Sequence, residues 1–262
     1  MTSDSHVRVP PRGSPSVSRA AAILNVMSDR PGGWSLTQLA GELGLAKSST
    51  LTIMTSLEAA GFVTRNGTAY HLDLGVLRPA AGFLRGLDIT ETFKNAIANS
   101  RVLGDQIAHL GVLCGTSVTF LARHLGRPPL PVTGMVGDRF PASITAVGAA
   151  LLAQCTDAQI RASYAGAESA FPRWTSRSTR RLEDLLAKVD VVRRRGYAVD
   201  DGETHPGVYA FGVVVRYTGN LTQDFAISVS LEREGLSRQR WEEVLAELVS
   251  VRDGLETISQ LG

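Results

Sequence analysis

The chain has 262 residues, of which 44% are hydrophobic and 20% charged, a globular composition that excludes a disordered protein and a disulfide scaffold. Basic residues exceed acidic ones by two, so any role at nucleic acid must come from local arrangement and not from net charge. The longest apolar run, Ala146 to Ala153, falls far short of the ~18 residues that cross a bilayer, which argues for a protein with no membrane partner.

Residues 1–15 mix Pro, Ser and Arg, with Arg8 and Arg12, and read as a flexible arm placed to reach a minor groove; they lack the apolar segment of a secretory signal, so a cytoplasmic chain is expected. Ser16 is placed to cap a first helix whose apolar positions Ala20, Ile23, Leu24 and Met27 recur at helical spacing. Ser35-Leu36-Thr37-Gln38 fits a capping box, so a short helix is expected from Leu36 to a stop at Gly44. A second helix follows from about Lys47 to Ala60, with Thr50, Ile53, Met54 and Leu57 facing inward. Asn66-Gly67 between two alternating apolar runs predicts a hairpin, and three helices with a hairpin make a winged helix-turn-helix over residues 16–73. Residues 74–90 read as a linker helix kinked at Pro79.

Residues 91–262 alternate helix and strand patterns and suggest α+β. A helix is expected from Glu91 to Gln106 and a hairpin from Ile107 to Arg123 around Cys114-Gly115-Thr116. A strand over Leu130 to Val136 comes next, then a small-residue helix from Ser143 to Gln154 and an amphipathic one from Thr179 to Arg195. Strands over Val208 to Arg216 and Asp224 to Leu231 precede a closing helix from Ser237 to Ile258.

Four stretches in this order resemble the bacterial IclR family of regulators: Ser18 to Leu24 (SRAAAIL), Leu36 through Phe62, Gly137-Asp138-Arg139-Phe140-Pro141 with the helix after it, and Arg195 to Asp201 leading to Pro206-Gly207. The resemblance implies a winged helix-turn-helix joined by a linker helix to a GAF-like effector-binding domain, assembled as a homodimer or tetramer on a double-stranded DNA operator.

In such a domain the start of the recognition helix reads the major groove, which nominates Lys47, Ser48, Ser49, Leu51 and Thr52, with Arg65 on the wing and Arg19 on the first helix. Many family members carry polar or basic residues where Leu51 and Thr52 stand here. Only six basic residues face four acidic ones between Met1 and Leu72. The richer basic stretch, Arg173 to Arg195, reads as a solvated face.

Family positions that contact small acids match Ala146, Val147, Asp200, Ala210, Ser228 and Ser230. Ser228 and Ser230 share one face of a strand and can hold one ligand group or bond to neighbouring backbone; Asp200 can face a ligand or cap a turn. With Val147 adding bulk and Ala210 lacking a polarisable group, the expected effector is an aromatic or other small organic acid, or a phenolic relative. No cofactor and no metal are expected, since His109, His124, His205, Cys114 and Cys155 lack ligand spacing. The rival readings are an α+β enzyme with an accessory N-terminal domain, for which no nucleophile, base and orienting group emerge, and an interaction module that has lost DNA binding.

Overall fold

The computed structural model describes residues 13–29, 32–127, 130, 134–217 and 224–259. The arm with Arg8 and Arg12 lies outside the described residues, as do 131–133 of the strand expected at 130–136. The chain divides into two compact units that meet in sequence at Gly86 and Leu87.

The first unit opens with α1 (Pro15–Asp29). Its start corrects the expectation of a Ser16 cap: Pro15 occupies the first helical position, where its missing N–H costs nothing and its fixed φ suits the helix. A two-residue strand β1 (Trp34–Ser35) precedes α2 (Leu36–Glu42), where Ser35 and Gln38 form the expected reciprocal capping box. α3 (Lys47–Ala59) buries Thr50, Ile53 and Met54. Strands β2 (Val63–Asn66) and β3 (Ala69–Leu72) form the wing, and β1 joins them as a third strand that the sequence pattern did not signal. Ile23, Met27, Leu39, Met54, Val63 and Tyr70 meet in one core.

The wing turn differs from expectation by one residue. Asn66 pairs with Ala69, so the two loop residues are Gly67 and Thr68, and only Gly67, with φ +61°, is left-handed. That is the II′ pattern, with glycine at the first central position. The linker is also corrected. A 3-10 turn (Leu74–Val76) leads into α4 (Leu77–Arg85), which places Pro79 in the first α-helical turn. N–H groups there have no intrahelical acceptor, so no kink is required. A break at Gly86 separates α4 from α5 (Asp88–Asn99), which starts earlier and ends earlier than expected.

The second unit is built on a six-stranded antiparallel sheet in the order β6-β5-β4-β9-β8-β7. Its strands are β4 (Ile107–Cys114), β5 (Ser117–His124), β6 (Arg139–Pro141), β7 (Ala198–Asp201), β8 (Val208–Val215) and β9 (Phe225–Glu232). Gly134, Met135 and Val136 are not strand, and the edge is formed by β6 instead. A proline is tolerated there because its missing donor can fall on the open side of an edge strand. α5 and α9 (Arg238–Ser259) pack on each other and on the sheet. α6 (Ala146–Leu152) lies against β4, β7, β8 and β9, and α8 (Leu182–Arg195) against α6. A short helix, α7 (Asp157–Tyr164), carries a second capping box on Thr156 and Gln159.

α6 is buried at all seven positions, and glycine allows its approach to the sheet. A Cβ on Gly212 of β8 would lie 2.5 Å from the Ala146 carbonyl oxygen, too close for any real contact. The helix start therefore rests directly on strand backbone.

Candidate functional site

Two surfaces collect the residues singled out from the sequence. The first is on the N-terminal unit. Lys47, Ser48 and Thr52 are exposed along the first turns of α3, Ser49 is half-exposed, and Leu51 is 44% exposed. The core takes the intervening positions, since Thr50, Ile53 and Met54 point inward. Thr52 donates its hydroxyl proton to the Ser48 carbonyl at 3.1 Å, so that oxygen is left to accept from a base or a water. An exposed leucine between serine and threonine suits a thymine methyl better than it suits water.

Arg65 projects from β2 with its Nε donating to the Gly67 carbonyl at 2.9 Å and its guanidinium over the Tyr70 ring. Its stem is thereby pinned, and its terminal nitrogens have no protein partner among the described residues. Arg19 is half-exposed on α1.

Much of the basic stretch of the second unit is paired, while Arg173 and Arg180 have no carboxylate partner among the described residues. Arg177 pairs with Asp201, Arg181 with Asp184, Arg193 with Asp157 and Arg194 with Asp190, while Arg195 lies over the Tyr197 ring.

The second surface is a cavity of about 40 Å³ between the start of α6 and the sheet. The six positions nominated as effector-binding come from four elements, and all six line it. Strand register explains the convergence. Asp200, Ala210 and Ser230 stand in one row across β7, β8 and β9, while Gly212, Ser228 and His109 stand in the next row across β8, β9 and β4.

Ser228 is buried and Ser230 half-buried, and neither hydroxyl has a hydrogen bond to protein among the described residues. Asp200 has a place in the wall and hydrogen bonds of its own. It lines the cavity, and its carboxylate also organises the next turn, accepting from the Glu203 amide at 2.6 Å and from the Thr204 hydroxyl at 2.5 Å. Thr145 caps α6 by accepting from the Gly148 amide at 3.1 Å.

The spacing of the sequence left out His109, Phe120, Phe140, Thr145 and Thr204, which complete much of the wall. Of these only Thr145, a threonine just ahead of a small-residue helix, carried a local signal, that of a cap. His109 stacks on Phe120 with ring centroids 4.4 Å apart, and its Nε2 lies 3.1 Å from the Gly134 carbonyl. A carbonyl can only accept, so Nε2 carries the proton and the neutral ring leaves Nδ1 as an acceptor.

Burial sets the protonation of both titratable groups in the wall. Desolvation pushes His109 down to about 4 and Asp200 up to about 6, the latter against hydrogen bonds from Thr204 and Glu203 that favour the anion. Their effects on stability oppose each other. Between pH 6.5 and 4 the unfolded chain takes up a proton at His109 that the fold refuses, so acidification costs stability. Between pH 6 and 3.8 the fold takes up a proton at Asp200 that the unfolded chain does not, so acidification adds stability. His109→Gln removes only the first effect. Relative to the unsubstituted protein, this variant is expected to gain up to about 3 kcal/mol on going from pH 7 to pH 4. Denaturant titrations at the two pH values check it, and an unchanged difference between the proteins would show that His109 titrates normally.

No group of three or more potential ligand side chains is placed to hold a metal ion among the described residues. No described helix is long and apolar enough to cross a membrane.

A winged helix with an exposed, polar second helix of its helix-turn-helix, followed by an α+β unit, is the architecture of a DNA-binding regulator. Comparison with known proteins gives the family. The IclR helix-turn-helix domain matches residues 16–67, and the bacterial transcriptional regulator IclR C-terminal domain matches residues 81–258. The chain belongs to the IclR family of transcriptional regulators.

It is 30% identical over 202 residues to the HTH-type transcriptional regulator TtgV of Pseudomonas putida, covering 76% of this chain and 75% of that one. It is 25% identical over 202 residues to the regulator XynR of Escherichia coli, with 76% and 79% covered. Its fold is similar to that of an IclR transcriptional regulator from Alicyclobacillus acidocaldarius, with a TM-score of 0.78 at 23% identity over 95% of this chain and all of that one. It is also similar to an IclR homologue from Microbacterium hydrocarbonoxydans solved with 4-hydroxybenzoate, with a TM-score of 0.77 at 18% identity over 94% and 100%. The protein is thus a DNA-binding transcriptional regulator.

Proposed function

We propose that α3 and the wing read a double-stranded operator through Lys47, Ser48, Ser49, Leu51, Thr52 and Arg65, with Arg19 on a flanking phosphate, and that a small organic effector occupies the cavity at the start of α6. The observation that carries the ligand half of this reading is the meeting of six positions from four elements around one cavity, two of them serines whose hydroxyls have no protein partner among the described residues. The 4-hydroxybenzoate held by one structural relative supports a small organic molecule as the class. The ligand acts only as far as it binds the DNA-competent and DNA-incompetent arrangements with different affinity. The protein is read as a binding protein of the cytoplasm, with no reaction of its own.

Paired winged helices are part of the reading. α4 buries no residue within its own chain, and Leu77 and Phe83 are 59% and 49% exposed on it, with Leu74 just before it at 75%. The exposed apolar side chains of this amphipathic helix suit a homodimer contact, and dimers of dimers would give a tetramer.

The test is direct. Against the DNA fragment that the protein retains best, Lys47→Ala is expected to cost about 1 to 3 kcal/mol if the lysine reads a base, and Arg65→Ala is expected to flatten the salt dependence by about one phosphate contact. Unchanged isotherms for both variants would remove α3 and the wing from the interface.

A further inference from the structure

The outward face of α3 is a stripe of hydroxyls around one leucine, and most of the hydroxyl protons are already committed. Ser48, Leu51, Thr52, Thr55 and Ser56 are all exposed and recur at helical spacing, so they share the face opposite the buried Thr50, Ile53 and Met54. Thr52 donates to the Ser48 carbonyl at 3.1 Å, Thr55 to the Leu51 carbonyl at 3.0 Å and Ser56 to the Thr52 carbonyl at 3.1 Å. A hydroxyl that gives its proton to its own helix keeps its lone pairs and meets a base as an acceptor. In the stripe only Ser48 makes no such bond among the described residues, and it lies in the first turn, where a hydroxyl can serve a phosphate. Lys47 is the one cation of α3 and lies outside the stripe.

We propose that this stripe reads A·T base pairs in the major groove: Thr52, Thr55 and Ser56 accept from adenine amino groups, Leu51 packs on a thymine methyl, and guanine is left to Lys47. The proposal rests on α3 being the recognition helix, and it adds Thr55 and Ser56 to the residues that read the operator. In the major groove adenine and cytosine present an amino donor, guanine presents only acceptors, and thymine alone carries a methyl group. Acceptor hydroxyls facing guanine N7 and O6 would set lone pair against lone pair. Turning a hydroxyl proton outward to relieve this would break its bond to the helix. The cytosine amino group can satisfy a hydroxyl, but a G·C pair brings the guanine acceptors with it and offers the exposed leucine no methyl. The combination of acceptors with an apolar contact therefore selects A·T, and the methyl groups of the threonines add to that contact.

The experiment starts from the duplex that the full-length protein retains best from a random-sequence pool. The bases facing α3 are those that change when the selection is repeated with Leu51→Ala, Thr52→Val, Thr55→Val and Ser56→Ala, all at exposed positions where the fold is expected to persist. A·T pairs are expected there. Replacing thymine by uracil removes only the methyl, and should weaken the unsubstituted protein about fivefold but Leu51→Ala less than about twofold. Replacing adenine by purine removes only the amino group, and should weaken the unsubstituted protein about fivefold but at least one of Thr52→Val, Thr55→Val and Ser56→Ala less than about twofold. G·C pairs at those positions, uracil or purine losses that are the same in the variants as in the unsubstituted protein, or a selected sequence altered by Lys47→Ala alone, overturn the proposal and leave α3 in the groove. Selection unaltered by these four variants and by Lys47→Ala removes α3 from the interface, and the reading on which the proposal rests falls with it.

Discussion

Gly212→Ala is expected to lower the stability of the second unit by about 3 kcal/mol and to abolish ligand binding in the cavity. The added methyl would lie 2.5 Å from the Ala146 carbonyl oxygen and 2.6 Å from its carbonyl carbon. Both are backbone atoms of a fully buried helix, so no side chain can swing aside. Either the start of α6 lifts from the sheet, which displaces the cavity wall formed by Thr145, Ala146 and Val147, or β8 shifts against β9. Gly254→Ala is the control. That glycine lies inside α9 with open space where its Cβ would be, so alanine there should raise stability by up to about 1 kcal/mol. Denaturant titration of both variants checks the pair, and a loss below ~1 kcal/mol at Gly212 would mean that α6 is less closely seated than described.

Lys188→Met should cost roughly 3 kcal/mol, because it strands the Glu203 carboxylate in a site where both side chains are nearly enclosed, at 15% and 11% exposed. Glu203 is the hub of a small network: its second carboxylate oxygen takes the Thr179 amide and hydroxyl, and its backbone carbonyl takes the Ser178 hydroxyl. Its amide donates to Asp200. Losing the lysine therefore loosens the turn that presents Asp200 and Thr204 to the cavity, and ligand affinity should fall along with stability. Glu203→Gln in the Lys188→Met background removes the stranded charge and is expected to recover part of the loss. A melting temperature within a degree or two of the unsubstituted protein would show the pair to be solvated.

The elements best read from sequence were those whose signal is local. The Ser35 and Gln38 box, the stop at Gly44 and the inward positions of α3 each depend on residues within a few positions of one another, and each appears as read. The corrections fall where backbone detail or distant partners decide. Pro15 displaced the Ser16 cap, and Gly67 took the turn position expected of Asn66, because helix starts and hairpin turns slip by a residue at little cost in pattern. β1 and β6 exist only because a neighbouring strand is there to pair with, so two- and three-residue strands leave no periodicity to find.

The cavity shows the same division. Ser228 and Ser230 were legible as one face of a strand, but His109 reaches the wall because β4 lies beside β9 in a register that no local spacing encodes. The charge character of the site was legible least. Whether Lys188 faces the ligand or Glu203 depends on a pairing fifteen residues apart across a turn.

The central claim, sequence-specific DNA binding by paired winged helices, is tested most directly by selecting random fragments of genomic DNA on the purified full-length protein at physiological salt. The expected result is enrichment of an inverted repeat with half-sites about one helical turn apart or a multiple of that, lost when Lys47→Ala protein is used. Fragments recovered without any common sequence, or the same enrichment with the Lys47→Ala protein, would contradict the account.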